Sequence, residues 1–384
     1  MSQRLRWGLV GGGEGSQIGD AHRIAARIDG LIDLSAAALD IDPERGRAYA
    51  RDLGVAPDRA YGTWQEMLEG ERSRPDRIEL VTVATPNATH FEIANEFLRN
   101  GFHVFCEKPL TMTVEDANAL LKTAEANDRL LAVNFGYSGY PMVREARAMV
   151  ARGDLGRIRL AVAEFAHGFH ADAADADNPR VRWRYDPNQA GVSSVVADCG
   201  IHAMHMIGFV TGQHLEAVSA HFASLVGDRI LEDDAALNLR YSSGTLGRLW
   251  TSAVAVGQMH GLNFRIFGEK GGLSWHQEAP NQLFWTPLSQ PTVVIERGHP
   301  EASDAARDAT RITIGHTEGM LVAFANLYRD LHRAISAGEQ GERDLALSLL
   351  PMGAAGAEMV AAVDAAARST KDNGAWVELP KTSL

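Results

Sequence analysis

The stretch RLRWGLVGGGEGSQIGDAHRIAARI, residues 4–28, decides the fold. Arg4 to Val10 alternates weakly, Gly11, Gly12 and Gly13 follow, and His22 to Ile28 carries helical spacing. The order is strand, glycine turn, helix. Glycines there let the backbone approach a pyrophosphate, while free N–H groups of the helix's first turn point at it. The third glycine of such turns usually lies three residues after the second. Here Gly19 lies six after Gly13, so the loop is enlarged by three residues and includes Gly15, Ser16, Gln17 and Ile18. An ordinary glycine turn is the competing reading.

Working outward, Ile32 to Leu39 reads as a second strand ending at Asp40. An acid at that point is placed to accept hydrogen bonds from an adenosine ribose and to repel a 2′-phosphate. NAD is therefore favoured over NADP, with Arg45 or Arg47 positioned to soften the preference. Asp42 reads better as a helix cap, with Pro43 in the first turn where a missing N–H costs nothing. Glu79 to Ala84, Phe102 to Cys106 and Leu130 to Asn134 are further strands, separated by helical patterns that end at Gly101 and begin at Thr113. Strands alternating with helices specify a doubly wound parallel sheet, and this predicts a first domain over 1–134.

Beyond Asn134 the rhythm changes. Arg157–Ala166, Leu215–Val226, Ala235–Tyr241, Thr245–Ala253 and Leu262–Phe267 read as strands with mostly short connections, and Ser242–Gly244 as a hairpin turn. Residues 135–384 are thus expected to form an α+β domain with a largely antiparallel open sheet, in a chain that is α/β overall. Helices are expected over Ala203–Val210, Glu318–Ile335 and Leu345–Ala367. The long stretch Gly168–Gly191, with Arg180, Arg182, Trp183 and Arg184, reads as an ordered functional loop.

Composition narrows the partners. A formal net charge of −12 without a Lys/Arg stripe excludes nucleic acid as a natural partner. No apolar run approaches the roughly 20 residues of a membrane span, and Trp7 to Val10 is too short for a signal-peptide core, so a cytoplasmic location is expected. The two cysteines, Cys106 and Cys199, lack metal-site spacing and read as buried thiols.

Two further constellations carry chemistry. Glu107-Lys108-Pro109 closes a parallel strand, where ligands of doubly wound sheets bind, so Lys108 is expected to project a fixed ammonium. In Asp198-Cys-Gly-Ile-His202-Ala-Met-His205 a helix would put a carboxylate and two imidazoles on one face. Asp198 could orient His202 as a general base, all three could ligate a metal, or the histidines could simply pack. An ammonium in the same site opposes a cation and stabilises an alkoxide, which favours the base and no metal.

These residues together resemble the Gfo/Idh/MocA oxidoreductases across nearly the whole chain. The resemblance rests on the Gly11–His22 turn, Ala84-Thr-Pro-Asn-Ala-Thr-His90, Glu107-Lys108-Pro109, Ala190-Gly191 leading to Asp198 and His202, Gly268-Glu-Lys-Gly-Gly-Leu-Ser-Trp275 and Trp376-Val-Glu-Leu-Pro380. It implies an NAD-dependent dehydrogenase acting on a secondary hydroxyl of a cyclic polyol or sugar. Lys108, Asp198 and His202 would be catalytic, with Thr85, Pro86, Asn87, His90 and Glu107 lining the cofactor. Asn134, Tyr137, Arg184 and His316 would contact substrate, His316 in its own or a neighbouring subunit. The segment Gly315-His316-Thr-Glu-Gly319 resembles a subgroup acting on inositols and related sugars, so a scyllo-inositol or glucose-like ring is the expected substrate. The chain departs from the family in having His205 where many relatives carry an Asp, and in reducing the glycine cluster to Gly191-Val-Ser-Ser. The resemblance also implies a homo-oligomer, dimer or tetramer. It leaves two rival activities: glycoside cleavage by transient oxidation with retained NAD, and dinucleotide binding without turnover.

Overall fold

A computed structural model describes residues 4–174 and 178–380. Strand β1 (Leu5–Gly11) leads into α1 (Gln17–Ile28), β2 (Ile32–Ala38), α2 (Pro43–Asp52), α3 (Trp64–Arg72), β3 (Leu80–Ala84), α4 (His90–Arg99), β4 (His103–Cys106), α5 (Val114–Ala126) and β5 (Leu131–Val133). Then come α6 (Pro141–Ala151), β6 (Ile158–Ala166), the single-turn helices α7 (Pro179–Arg182) and α8 (Pro187–Ala190), and α9 (Ile201–Thr211). Strands β7 (Leu215–Ala223), β8 (Asp234–Tyr241), β9 (Leu246–Ser252), β10 (Asn263–Gly268), β11 (Gly271–His276), β12 (Gln282–Pro287) and β13 (Val293–Glu296) follow. The chain finishes with α10 (Asp304–Asp308), α11 (Met320–Ser336), α12 (Gln340–Leu349), α13 (Gly353–Lys371) and β14 (Val377–Glu378).

The chain divides into two compact units. The first contains residues up to Thr111, Glu115–Gly139 and the returning segment Met320–Gly356. Its parallel sheet has the order β2-β1-β3-β4-β5. Covered on both faces, β3 is buried throughout and reads as a continuous apolar run, LVTVA, rather than an alternating one. The division reaches past Asn134 because α11 packs an amphipathic stripe, Phe324, Leu327, Tyr328 and Leu331, into the same core as Trp7, Leu9 and Phe105.

The single helix expected over Leu345–Ala367 is two helices. Pro351 has no N–H to continue the ladder and pushes Leu350 out of the helical region, to ψ 135°. The released segment covers the edge of the parallel sheet: Val133 N donates to Pro351 O at 2.8 Å, and Met352 bridges to Ala132.

The second unit contains Met112–Val114, Tyr140–Gly319 and the chain from Ala357 on. Its nine-stranded sheet runs β13-β12-β11-β10-β6-β9-β8-β7-β14. Among the described residues only β6 and β9 pair parallel, so the sheet is largely antiparallel, as expected. The expected hairpin joins β8 to β9, with Gly244 at φ +83°. Strands β12 and β13 extend it beyond the segments read from the sequence. Within the long loop, residues 175–177 and the side chain of Arg180 lie outside the described residues. The described part is ordered by α7, a 3-10 turn at Trp183–Tyr185, and α8.

Candidate active site

The first unit builds a cradle at the C-terminal ends of its strands. Gly11, Gly12 and Gly15 take φ of +81°, +68° and +75°, which L side chains rarely adopt. Ser16 caps α1, its Oγ accepting from Gly19 N at 3.1 Å, so the enlarged loop is a capped helix start containing Gln17 and Ile18. Gly19 keeps the spacing tight: a Cβ there would overlap the Gly12 backbone.

Asp40 sits beside this turn. A Cβ on Gly13 would lie 3.3 Å from its Oδ2. Arg45 grips the carboxylate in a fork, Nε to Oδ2 at 2.8 Å and Nη2 to Oδ1 at 2.6 Å, and holds its pKa below the usual range. Asp42 accepts from Glu44 N and Arg45 N as the cap of α2. Arg47 turns instead to Glu44 and Glu66. Glycines that admit a phosphate, a helix N-terminus and a carboxylate at the ribose position fit an NAD adenosine half.

Farther along the strand ends, Thr85 and Thr89 share a hydroxyl hydrogen bond of 2.8 Å, Pro86 O accepts from Thr89 Oγ1, and Asn87 is half-buried. His90 is fully buried, with Nδ1 2.8 Å from Pro109 O and Nε2 2.9 Å from Thr85 O, and burial pushes its pKa down. It is a strut between the ends of β3 and β4. Glu107 is also buried. Its Oε1 meets His22 Nε2 at 3.0 Å and Asn134 Nδ2 at 2.5 Å, and its Oε2 accepts from Lys108 N at 3.1 Å. These partners hold its carboxyl below the ordinary value against the opposing effect of burial. Asn134 Oδ1, buried, meets no donor among the described residues. Tyr137 lies in the turn Gly136–Gly139 against which Phe324 and Ala323 of α11 pack.

In the second unit, Asp198 lies in a π-helical turn, Val196–Gly200, that runs directly into α9 with His202 in its first turn. Such turns concentrate at functional sites. Glu232 anchors the start of this helix, accepting from Ser193 Oγ at 2.5 Å, Ser194 N at 2.9 Å and Val196 N at 3.2 Å. Arg184 Nε is 3.6 Å from Asp198 Oδ2, and its guanidinium covers the Trp183 ring at 4.6 Å. Rings gather around the pair. Phe165 lies 6.0 Å from both His202 and His260, His167 stacks on Phe169 at 5.0 Å, and His167 is 5.5 Å from His170. Burial, reinforced by His170 and His260, pushes His167 down to about 4.

His205 does not join this group: it stacks on Phe209 at 5.8 Å inside the core, and burial pushes it down to about 3. Among the described residues no three His, Cys, Asp or Glu side chains are grouped to hold a metal ion. His316 lies in an exposed loop ahead of α11. Buried Arg297 holds that loop by donating to Ile312 O at 2.8 Å, to Thr313 O at 3.2 Å and to His316 O.

Sequence reasoning gave no role to His22, Tyr328, Glu232 or the imidazoles of His167, His170 and His260. Polar residues inside buried apolar runs, such as Thr82 in β3, were the available signal for the first two. No helix among the described residues is long and apolar enough to cross a membrane.

Two family models match the chain: an oxidoreductase family with an NAD-binding Rossmann fold over residues 5–135, and the GFO/IDH/MocA C-terminal domain over 143–274. An uncharacterized oxidoreductase of Bacillus subtilis, YfiI, is 36% identical, with 98% of each chain covered. An inositol dehydrogenase homologue of Azotobacter vinelandii, solved with NAD+, is 42% identical with a TM-score of 0.93, covering 98% of this chain and 97% of that one. An inositol dehydrogenase homologue of Azotobacter vinelandii solved with NADH and myo-inositol is 41% identical with a TM-score of 0.90, covering 98% of each chain. With an NAD-type Rossmann unit, a matching C-terminal domain and relatives of this identity along its whole length, the chain belongs to the GFO/IDH/MocA family of NAD-dependent oxidoreductases.

Proposed function

We propose that the protein oxidises one secondary hydroxyl of a cyclic polyol or pyranose to the ketone, with His202 as general base. The observation that carries this reading is the placement of Asp198 and His202 four residues apart across a π-to-α junction, with Arg184 beside Asp198 and rings beside the imidazole. The glycine turn and Asp40 would hold NAD, which would supply the hydride acceptor, nicotinamide C4. His202 removes the hydroxyl proton, and Asp198 orients the imidazole and stabilises its charged form. Lys108 stabilises alkoxide character as negative charge develops. Phe165, Phe169 and the neighbouring imidazoles offer flat faces to a saturated ring, while Arg184, Asn134 and Tyr137 supply polar contacts. The homologue solved with myo-inositol supports a ring polyol as the substrate class. The glycine turn, Thr85, Pro86, Asn87 and Glu107 serve the dinucleotide, Asp40 selecting NAD.

NAD reduction measured across inositols, pyranoses and glycosides tests this reading. Turnover is expected with scyllo-inositol or a glucose-like ring. Activity confined to short acyclic hydroxy acids would falsify it. We also read the outward sheet face, with Leu246, Trp250, Phe267 and Val294 exposed, as covered by a second copy, with His316 available to a neighbouring subunit. Light scattering of purified protein is expected to report a dimer or tetramer, and a monomer would overturn it.

A further inference from the structure

We propose that Trp7, Thr82, Tyr328, His22 and Glu107 form a one-way hydrogen-bond chain that fixes the tautomer of His22 and makes Tyr328 a positioning residue for Glu107 and Lys108. The chain's direction rests on geometry alone. Its consequence at Lys108 rests on the dehydrogenase reading above.

Both ends of the chain are chemically fixed. An indole N–H can only donate, and an ionised carboxylate can only accept. Trp7 Nε1 donates to Thr82 Oγ1 at 2.9 Å. Thr82 Oγ1 is 3.0 Å from Tyr328 Oη, which is 2.8 Å from His22 Nδ1, and His22 Nε2 is 3.0 Å from Glu107 Oε1. Trp7, Thr82, Tyr328 and His22 are buried, and edge-on contacts with Phe105 and Tyr328 enclose the imidazole. Since Glu107 accepts, Nε2 carries a proton. If Nδ1 carries none, Tyr328 donates to it and Thr82 donates to Tyr328, so every buried hydrogen in the chain has an acceptor.

The alternative puts protons on both nitrogens. Tyr328 must then accept from Nδ1 and donate to Thr82. Thr82, already accepting from Trp7, would be left with its own hydroxyl hydrogen buried and unsatisfied, a costly arrangement. The one-way order is therefore the one these contacts select, and dipoles aligned in series strengthen one another toward Glu107.

The consequence appears at the strand ends. Glu107 holds the Lys108 N–H and the Asn134 amide. Because the carboxylate only accepts, Asn134 must face it with its NH2, which turns Oδ1 the other way. Thus a hydroxyl on α11, far along the sequence, holds His22 in place and, through it, the carboxylate that grips the groups flanking Lys108.

Histidine-labelled full-length protein, studied by ¹⁵N NMR with His22→Gln to assign the resonance, tests the chain directly. One protonated nitrogen, Nε2, and one unprotonated nitrogen, Nδ1, are expected at His22. Two protonated nitrogens, or a proton on Nδ1 alone, overturn the proposal, and this measurement needs no destabilising variant. Tyr328→Phe keeps the ring and removes the donor. It is expected to shift the His22 Nδ1 resonance and to lower kcat on the polyol by about 10-fold or more. An unchanged kcat in Tyr328→Phe overturns the positioning role. An unchanged kcat in Lys108→Ala overturns the dehydrogenase reading instead, so the two failures are distinguishable.

Discussion

Two buried carboxylates, one in each unit, are held in opposite ways. In the first, Glu71 is fully buried and pairs with Arg59 through Nε at 2.9 Å and Nη2 at 2.5 Å, with Tyr61 OH at 3.1 Å and Ile78 N at 2.9 Å completing its shell. In the second, Glu232 meets three neutral donors at the start of the helix that carries Asp198 and His202, and burial pushes its pKa up. Charge against charge makes the Arg59–Glu71 pair a fixed part of the parallel-sheet unit. Neutral dipoles around a carboxyl make the start of the proposed catalytic helix sensitive to proton concentration.

The largest expected effect separates the units by chemistry. His202→Ala should lower kcat/KM on the polyol by about 10²- to 10⁴-fold, the usual range for losing a general base. NAD affinity by calorimetry should stay the same, since the residues assigned to the dinucleotide all lie in the first unit. Equal loss of NAD binding would break this division of labour.

Next in size, Glu71→Ala leaves Arg59 buried without its partner carboxylate. A cost of about 3–5 kcal/mol is expected in urea unfolding, as for other broken buried pairs. A loss under about 1 kcal/mol would mean that water or Asp76, 3.6 Å from Arg59 Nη1, replaces the carboxylate, and the unit would not rest on this pair.

A smaller change concerns the cofactor. Asp40→Ser removes the charge that repels a 2′-phosphate and frees the Arg45 fork. NADP affinity should rise by about 10-fold, equivalent to about 1.4 kcal/mol. Adding Arg45→Ala should reverse most of that gain. If NADP binding stays as weak as in the parent, Asp40 does not set the preference.

Much of the first unit was legible because its rules are local. Continuous apolar strands alternating with helices fix a parallel sheet, and the ends of those strands then fix where Asp40 and Lys108 lie. The break at Pro351 was legible in principle, but the alanine-rich helical pattern on either side hid it. The proposed roles of Asp198 and His202 start from their spacing, yet a four-residue interval looks the same in an α-helix and a π turn. Tyr328 could not be found, because its bond to His22 joins positions 306 residues apart. Nor could Glu232: an acidic residue in a loop gives no sign that three donors converge on it.

The smallest expected effect tests the neutral-dipole side of the comparison. A carboxyl whose folded pKa lies above its ordinary value of 4.5 binds its proton more tightly in the folded protein. Its stabilisation is complete below that ordinary value and is lost as pH rises through the raised folded value. Glu232→Gln keeps an acceptor oxygen for Ser193, Ser194 and Val196 but has no proton to lose. Unfolding midpoints of variant and parent should therefore agree near pH 4 and diverge as pH rises toward 8, with the glutamine protein the more stable. Glu232→Ala, which strands three donors, should lose about 1–3 kcal/mol at every pH. Parallel curves for the glutamine variant and parent would show that burial does not disfavour this charge, and the contrast with Glu71 would then lie in partners alone.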